Sequence, residues 1–111
     1  MSTLTERLAP YAPFVIAQGN PGTRGGLRID RGTPWGNPFK IGPDGDRETV
    51  VLKFAEKLRR MDPEARTEWL KPVLDALSAG RKLVCWCSPR LCHGQVLAAY
   101  ALKETTRAND D

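Results

Sequence analysis

Residues 83–98 read LVCWCSPRLCHGQVLA: an apolar run of strand length, a Ser-Pro turn, then apolar residues at helical spacing. This segment constrains the fold most, because a strand that passes through a tight turn into a helix is the building unit of α/β proteins. The remaining segments supply its partners. Phe14–Val15–Ile16–Ala17, inside Pro13–Gln18, is a short apolar run compatible with a buried strand. Leu27–Arg31 (LRIDR) alternates apolar and charged residues with the period of two that marks a half-buried strand. Asp46 stands as N-cap before a helix over about Arg47–Arg60, which places Val51, Phe54 and Leu58 on one face. Asp62-Pro63 opens a second helix, carried by Trp69, Leu70, Val73, Leu74 and Leu77 to a C-capping Gly80. Pro72 is expected to kink this helix or divide it near Leu70. Lys82–Cys87 is the third strand, and a last helix runs around Gly94–Lys103. The order β-β-α-α-β-α predicts a small α/β sandwich, a short sheet flanked by helices on both faces.

A chain of 111 residues fits one domain, since neither half would bury an adequate core. Its expected core runs over about 13–104, with a frayed tail over 105–111. No apolar run approaches the roughly 20 residues that span a bilayer. Met1–Pro10 carries Glu6 and Arg7 and lacks the apolar centre of a signal peptide. Cys85, Cys87 and Cys92 are odd in number and packed into one stretch, unlike a disulfide framework. In a reducing compartment such a cluster points to metal binding, reactive thiols or burial, so a cytoplasmic location is expected.

The net charge of +4 is unevenly spread. Residues 1–43 carry five Lys/Arg against Glu6 and Asp30, while residues 76–103 carry Arg81, Lys82, Arg90 and Lys103 with no acid. The middle, 44–75, is close to neutral. Positive potential thus gathers in the segments with the unusual motifs, which favours an anionic partner: a nucleotide, a phosphate or nucleic acid.

In the Cys-His turn, Cys92 and His93 fall at or just before a helix start. The positive end of the helix dipole and the nearby Arg90 both favour a thiolate. His93 is the only histidine, hence the side chain poised for proton transfer near neutral pH. Three readings compete. Cys92 or Cys87 is a nucleophile with His93 as acid/base. Alternatively Cys85, Cys87, Cys92 and His93 hold a metal such as zinc, although zinc ligands usually come as two separated knuckles. Or the cysteines are small buried hydrophobes and His93 caps the helix. Cys85 and Cys87 share one face of a strand, so one of them can be core.

The loop GTPWGNPF, residues 32–39, follows a strand. Trp35 and Phe39 offer rings that can stack on a base, Gly36 permits close backbone approach, and Asn37 offers a donor and an acceptor. Against this, Asn37 can close an Asx turn, and both aromatics can plug the core. GTRGGL at residues 22–27 precedes a strand rather than a helix, so neither a P-loop nor a dinucleotide fingerprint is present.

A strand ending in Arg31, then GTPWGNPFKIGPDGDRETVV and later LVCWCSPRLCHGQVLA, resembles the small domain family of bacteria and phages known as domain of unknown function 4326. The resemblance covers about residues 13–102 and implies little chemistry, because the family is named for having no assigned function. The Cys-His turn is also similar to that of another α/β family ending in a CHR motif. Here Gly94 replaces the arginine, so an anion-binding role for that position does not carry over.

The leading expectation is an enzyme or enzyme-like domain acting on a nucleotide or nucleic-acid component. Cys92 or Cys87 is its nucleophile and His93 its acid/base. Arg31 and Arg90 neutralise charge, and Trp35, Gly36, Asn37 and Phe39 hold the ligand. A non-catalytic nucleotide or nucleic-acid binder and a small metal-stabilised domain are the alternatives.

Overall fold

A computed structural model describes residues 4–17, 25–30, 32–85 and 91–110, with side chains up to Lys103. The fold is a small α/β domain. Three strands, β1 (Val15–Ala17), β2 (Leu27–Arg28) and β3 (Leu83–Cys85), form a sheet of order β1-β3-β2. Both pairings are parallel: Val15 lies opposite Leu83 and Ala17 opposite Cys85 on one side, and Leu27 opposite Leu83 on the other. The last strand in sequence is therefore central. Leu83, Val84 and Cys85 are all buried. Successive strand side chains point to opposite faces, so this requires cover on both.

Two elements precede the sheet that the periodicity did not signal: α1 (Leu4–Leu8) and a 3-10 helix over Ala9–Phe14. Leu8 is buried in the core, which therefore reaches back beyond residue 13. Each is too short, and the second too interrupted by Pro10 and Pro13, for a helical period to show.

α2 spans Arg47–Arg60, and Asp46 caps it by accepting from the Thr49 N–H at 2.8 Å. Hydrogen bonding from Thr49 holds the Asp46 carboxyl below its ordinary range. The cap's contribution is thus present above the unfolded carboxylate value and is lost as pH falls through the lowered one. Val50, Val51, Phe54 and Leu58 form the buried face of α2. α3 spans Pro63–Ser78 without a break at Pro72, so the helix is not divided near Leu70. Pro72 and Glu68 are both exposed, so the carbonyl that loses its partner faces solvent. Gly80, at φ 79°, ends α3 in a Schellman motif: its N–H donates to Leu77 O, and the Arg81 N–H donates to Ala76 O. Arg66, 7% exposed, joins three helices by donating to Leu58 O at 2.9 Å and lying 5.2 Å over the Tyr100 ring.

α4 spans His93–Asp110, longer than expected at its C-terminal end, and packs on α2 and α3. Every residue from Cys92 to Ala99 is buried, so its first two turns are enclosed rather than laid on one side of the sheet. Gly94 makes this possible. A Cβ there would lie 2.6 Å from Ile29 Cδ1 and 3.1 Å from Val15 Cγ2. Gly94→Ala is therefore expected to overpack the junction of α4 with the sheet and cost about 1–3 kcal/mol in chemical denaturation. An unchanged denaturation midpoint would show that the helix can back away freely.

Candidate functional site

The site lies beyond the carboxyl ends of the strands, where α/β sheets usually place ligands. Ile29 N–H donates to Val84 O at 3.1 Å, carrying the β2 ladder one residue further. From there Asp30 begins the loop towards Phe39, while β3 ends at Cys85 and α4 begins at His93. Between them is a cavity of about 500 Å³, within the usual range for one small-molecule ligand. Cys85, Cys92 and His93 form part of its wall. Val50, Val51 and Leu91 add apolar surface, Asn37, Phe39 and Ile41 come from the loop side, and Arg28, Asp30 and Arg47 bring charge.

Cys92 occupies the N-cap of α4. Its Sγ accepts from the Gly94 N–H at 3.4 Å, while its own N–H donates to Gln95 Oε1 at 2.9 Å. This is a capping box with a thiol in place of the usual hydroxyl. Gln95, 5% exposed, also donates to Leu8 O, which ties the helix start to α1.

His93 is 7% exposed and has both ring nitrogens engaged. Nε2 lies 2.7 Å from Ile29 O and Nδ1 lies 3.6 Å from Cys92 Sγ. A carbonyl only accepts, so Nε2 carries a proton, and in the neutral ring Nδ1 turns its lone pair to the thiol. Phe54 meets the imidazole edge-on, with centroids 5.1 Å apart and planes at 82°. The ring is thus held by a carbonyl, an aromatic wall and a sulfur. Cys85 completes the cluster: its sulfur, Cys92 Sγ and a His93 nitrogen all lie within 4.8 Å of one another.

The expected site residues divide. Cys92, His93, Phe39 and Asn37 line one cavity, so the WGNPF loop and the Cys-His turn are neighbours. Asn37, however, has its polar atoms occupied. Nδ2 donates to Val50 O at 3.1 Å and Oδ1 accepts from the Phe39 N–H at 3.0 Å, closing an Asx turn and pinning the loop to α2. These two bonds fix its place in the cavity wall. Trp35 and Gly36 do not line the cavity. Trp35 packs against the core and donates Nε1–H to Trp69 O at 3.0 Å, so it anchors the loop to α3. The Gly36 N–H closes a turn onto Thr33 O at 3.2 Å. Arg31, Cys87 and Arg90 lie outside the described residues.

Three charged residues were missed. Arg28 and Asp30 form a pair through Nη2–Oδ2 at 2.7 Å and Nε–Oδ2 at 3.1 Å, and Asp30 Oδ1 also accepts from the Gly32 N–H. Arg47 reaches from the first residue of α2 to Leu91 O at 3.4 Å. Its signal in the sequence was a cation directly after an N-cap, where the helix dipole favours an acid.

Fold and site together define a small parallel α/β domain with a thiol-imidazole pair at the floor of a partly apolar cavity. The chain belongs to the family described as Domain of unknown function (DUF4326), whose model matches residues 16–103. It is also similar to the "uncharacterized 12.4 kDa protein in nrdA-td intergenic region" of Enterobacteria phage T4, at 37% identity over 73 residues. That match covers 65% of this chain and 63% of the relative, so the chain spans less than two thirds of the relative's length. No solved structure matches. Among the described residues no helix is long and apolar enough to cross a membrane.

Proposed function

We propose that the protein is an enzyme or enzyme-like domain acting on a nucleotide or nucleic-acid component, with Cys92 as nucleophile and His93 as its acid/base. The observation that carries this reading is the line from Ile29 O through the His93 ring to Cys92 Sγ, at 2.7 and 3.6 Å. It has the order of an activated nucleophile: a thiol, a base in reach, and a third group that fixes the base's tautomer. In the reaction the Cys92 proton moves to Nδ1, and the imidazolium keeps its Nε2–H on Ile29 O. The Gly94 N–H and the helix dipole stabilise the sulfur anion. As Cys92 Sγ bonds to the substrate, the bond to the leaving group breaks and Nδ1 returns the proton to that group; water, giving its proton to Nδ1, then displaces Cys92 from the covalent intermediate. Phe39 offers a ring for a base, and Arg28 and Arg47 fit an anionic ligand. Cysteine thiols at this site suit a reducing, cytoplasmic setting.

Site-resolved alkylation with iodoacetamide tests this. Cys92 in the folded protein is expected to reach half its maximal labelling rate below the free-thiol value of roughly 8.5. His93→Gln should move that midpoint upward, and a bound nucleotide should protect the thiol. A Cys92 labelled only on unfolding would remove the nucleophile. A Cys92→Ser variant that retains ligand affinity and loses turnover separates an enzyme from a pure binder.

A second reading is favoured by the convergence of Cys85, Cys92 and His93 within 4.8 Å. A histidine with one nitrogen held by a backbone carbonyl is oriented to ligate through the other, and two thiolates with one imidazole suit zinc. Native mass spectrometry of protein purified without chelators decides between them. Stoichiometric zinc, with stability lost on chelation, selects the metal-stabilised domain, whereas metal-free protein with a reactive Cys92 selects the thiol.

A further inference from the structure

Charge in the cavity is unevenly committed. Arg28 is already held by Asp30 through two hydrogen bonds, and a carboxylate at its guanidinium works against a second anion there. Arg47 is different. Its hydrogen bonding among the described residues is one contact to Leu91 O at 3.4 Å, near the outer limit for such a bond. A guanidinium has five N–H donors, so most of its capacity is unspent. The contact nevertheless locates the group well, because Leu91 directly precedes Cys92 and both line the same cavity. Arg47 is also the first residue of α2, behind the Asp46 cap, where the positive helix end disfavours a cation. Helix stability does not account for an arginine there.

Phe39, Ile41 and Leu91 supply apolar and aromatic wall to the same cavity. A volume of about 500 Å³ suits one small molecule rather than a length of strand. We infer that Arg47 is the anion-binding residue of this cavity, and that its ligand is of the nucleoside monophosphate class: one phosphate on the guanidinium, the ring against the apolar wall. This rests on the proposed nucleotide reading and narrows it from nucleic acid to a mononucleotide. A planar fork that donates two parallel N–H bonds to phosphate oxygens suits that contact better than a lysine would.

Two measurements test it, both on the full chain and on Arg47→Gln. First, the four ribonucleoside 5′-monophosphates and their parent nucleosides are titrated calorimetrically. Monophosphates should bind the unmodified protein more tightly than nucleosides, and Arg47→Gln should weaken monophosphate binding about ten- to a hundredfold while leaving nucleoside binding unchanged. Second, Cys92 is alkylated at fixed pH with iodoacetate and iodoacetamide, reagents of like size that differ in charge. The rate ratio of the anionic to the neutral reagent should fall roughly tenfold in Arg47→Gln, and because both reagents meet the same thiolate fraction, the ratio reports the attraction of the anion alone. The variant's melting temperature should stay level or rise slightly, an outcome that a purely structural arginine would not produce. Monophosphate affinity unaffected by Arg47→Gln overturns the assignment of Arg47 while the nucleotide reading stands. Failure of the unmodified protein to bind any of these nucleotides or nucleosides overturns the mononucleotide inference, and the wider reading falls with it if a short single-stranded oligonucleotide also fails to bind.

Discussion

Trp35→Ala is expected to lower folding stability by about 3 kcal/mol, at the lower end of aromatic truncations because the ring is only partly buried. The indole packs against the core from a loop and gives its N–H to Trp69 O. Truncation removes that packing and leaves the carbonyl without its indole donor. Trp35→Phe keeps most of the ring and loses the hydrogen bond, so it should cost nearer 1 kcal/mol. Urea denaturation of the two variants separates packing from hydrogen bonding. The pair also separates anchor from ligand platform. An anchor variant loses stability but binds normally per folded molecule. A Trp35→Ala protein of normal stability with weakened nucleotide binding would restore the stacking role.

Phe54→Ala should have the larger effect, about 3–5 kcal/mol, since the side chain is fully buried at the centre of the α2 face. Proteins of this size are stable by roughly 5–15 kcal/mol, so a loss of this size is a large share of the total and should lower the denaturation midpoint markedly. Its consequence for the site is more specific than its cost. Phe54 is the wall that meets the His93 ring edge-on, and without it the imidazole gains room to rotate away from Cys92 Sγ. Phe54→Leu keeps most of the volume and should cost less, about 1.5 kcal/mol, while still removing the aromatic edge contact. If His93 activates Cys92, the leucine variant should show slower Cys92 alkylation near neutral pH even where it is fully folded. Unchanged labelling in folded Phe54→Leu would show that the carbonyl of Ile29 alone is enough to hold the ring.

Much of this architecture is local and therefore legible in the sequence. Asp46 and Asp62-Pro63 open their helices and Gly80 closes one because capping is decided by a few adjacent backbone groups. The faces of α2 and α3 follow from the spacing of Val51, Phe54 and Leu58 and of Leu70, Val73 and Leu77, since period alone sets which side chains share a side. The strand-turn-helix segment announced an α/β unit with Cys92 and His93 at or just before a helix start, and both residues are there. What only tertiary structure decided is which atoms are spent. A tryptophan in a loop has the same composition whether it stacks on a ligand or donates to Trp69 O, and an asparagine the same donors whether it reads a base or holds Val50 O. Nor does spacing reveal that the Ile29 carbonyl, sixty-four residues from His93, fixes its tautomer. Arg47 and Leu91 likewise meet across forty-four residues. Such pairings arise from chain crossings that bury donors and acceptors together, and burial obliges them to pair. The sequence alone determined the elements and the chemical groups. The crossings decided which of those groups hold the fold and which are left facing the cavity.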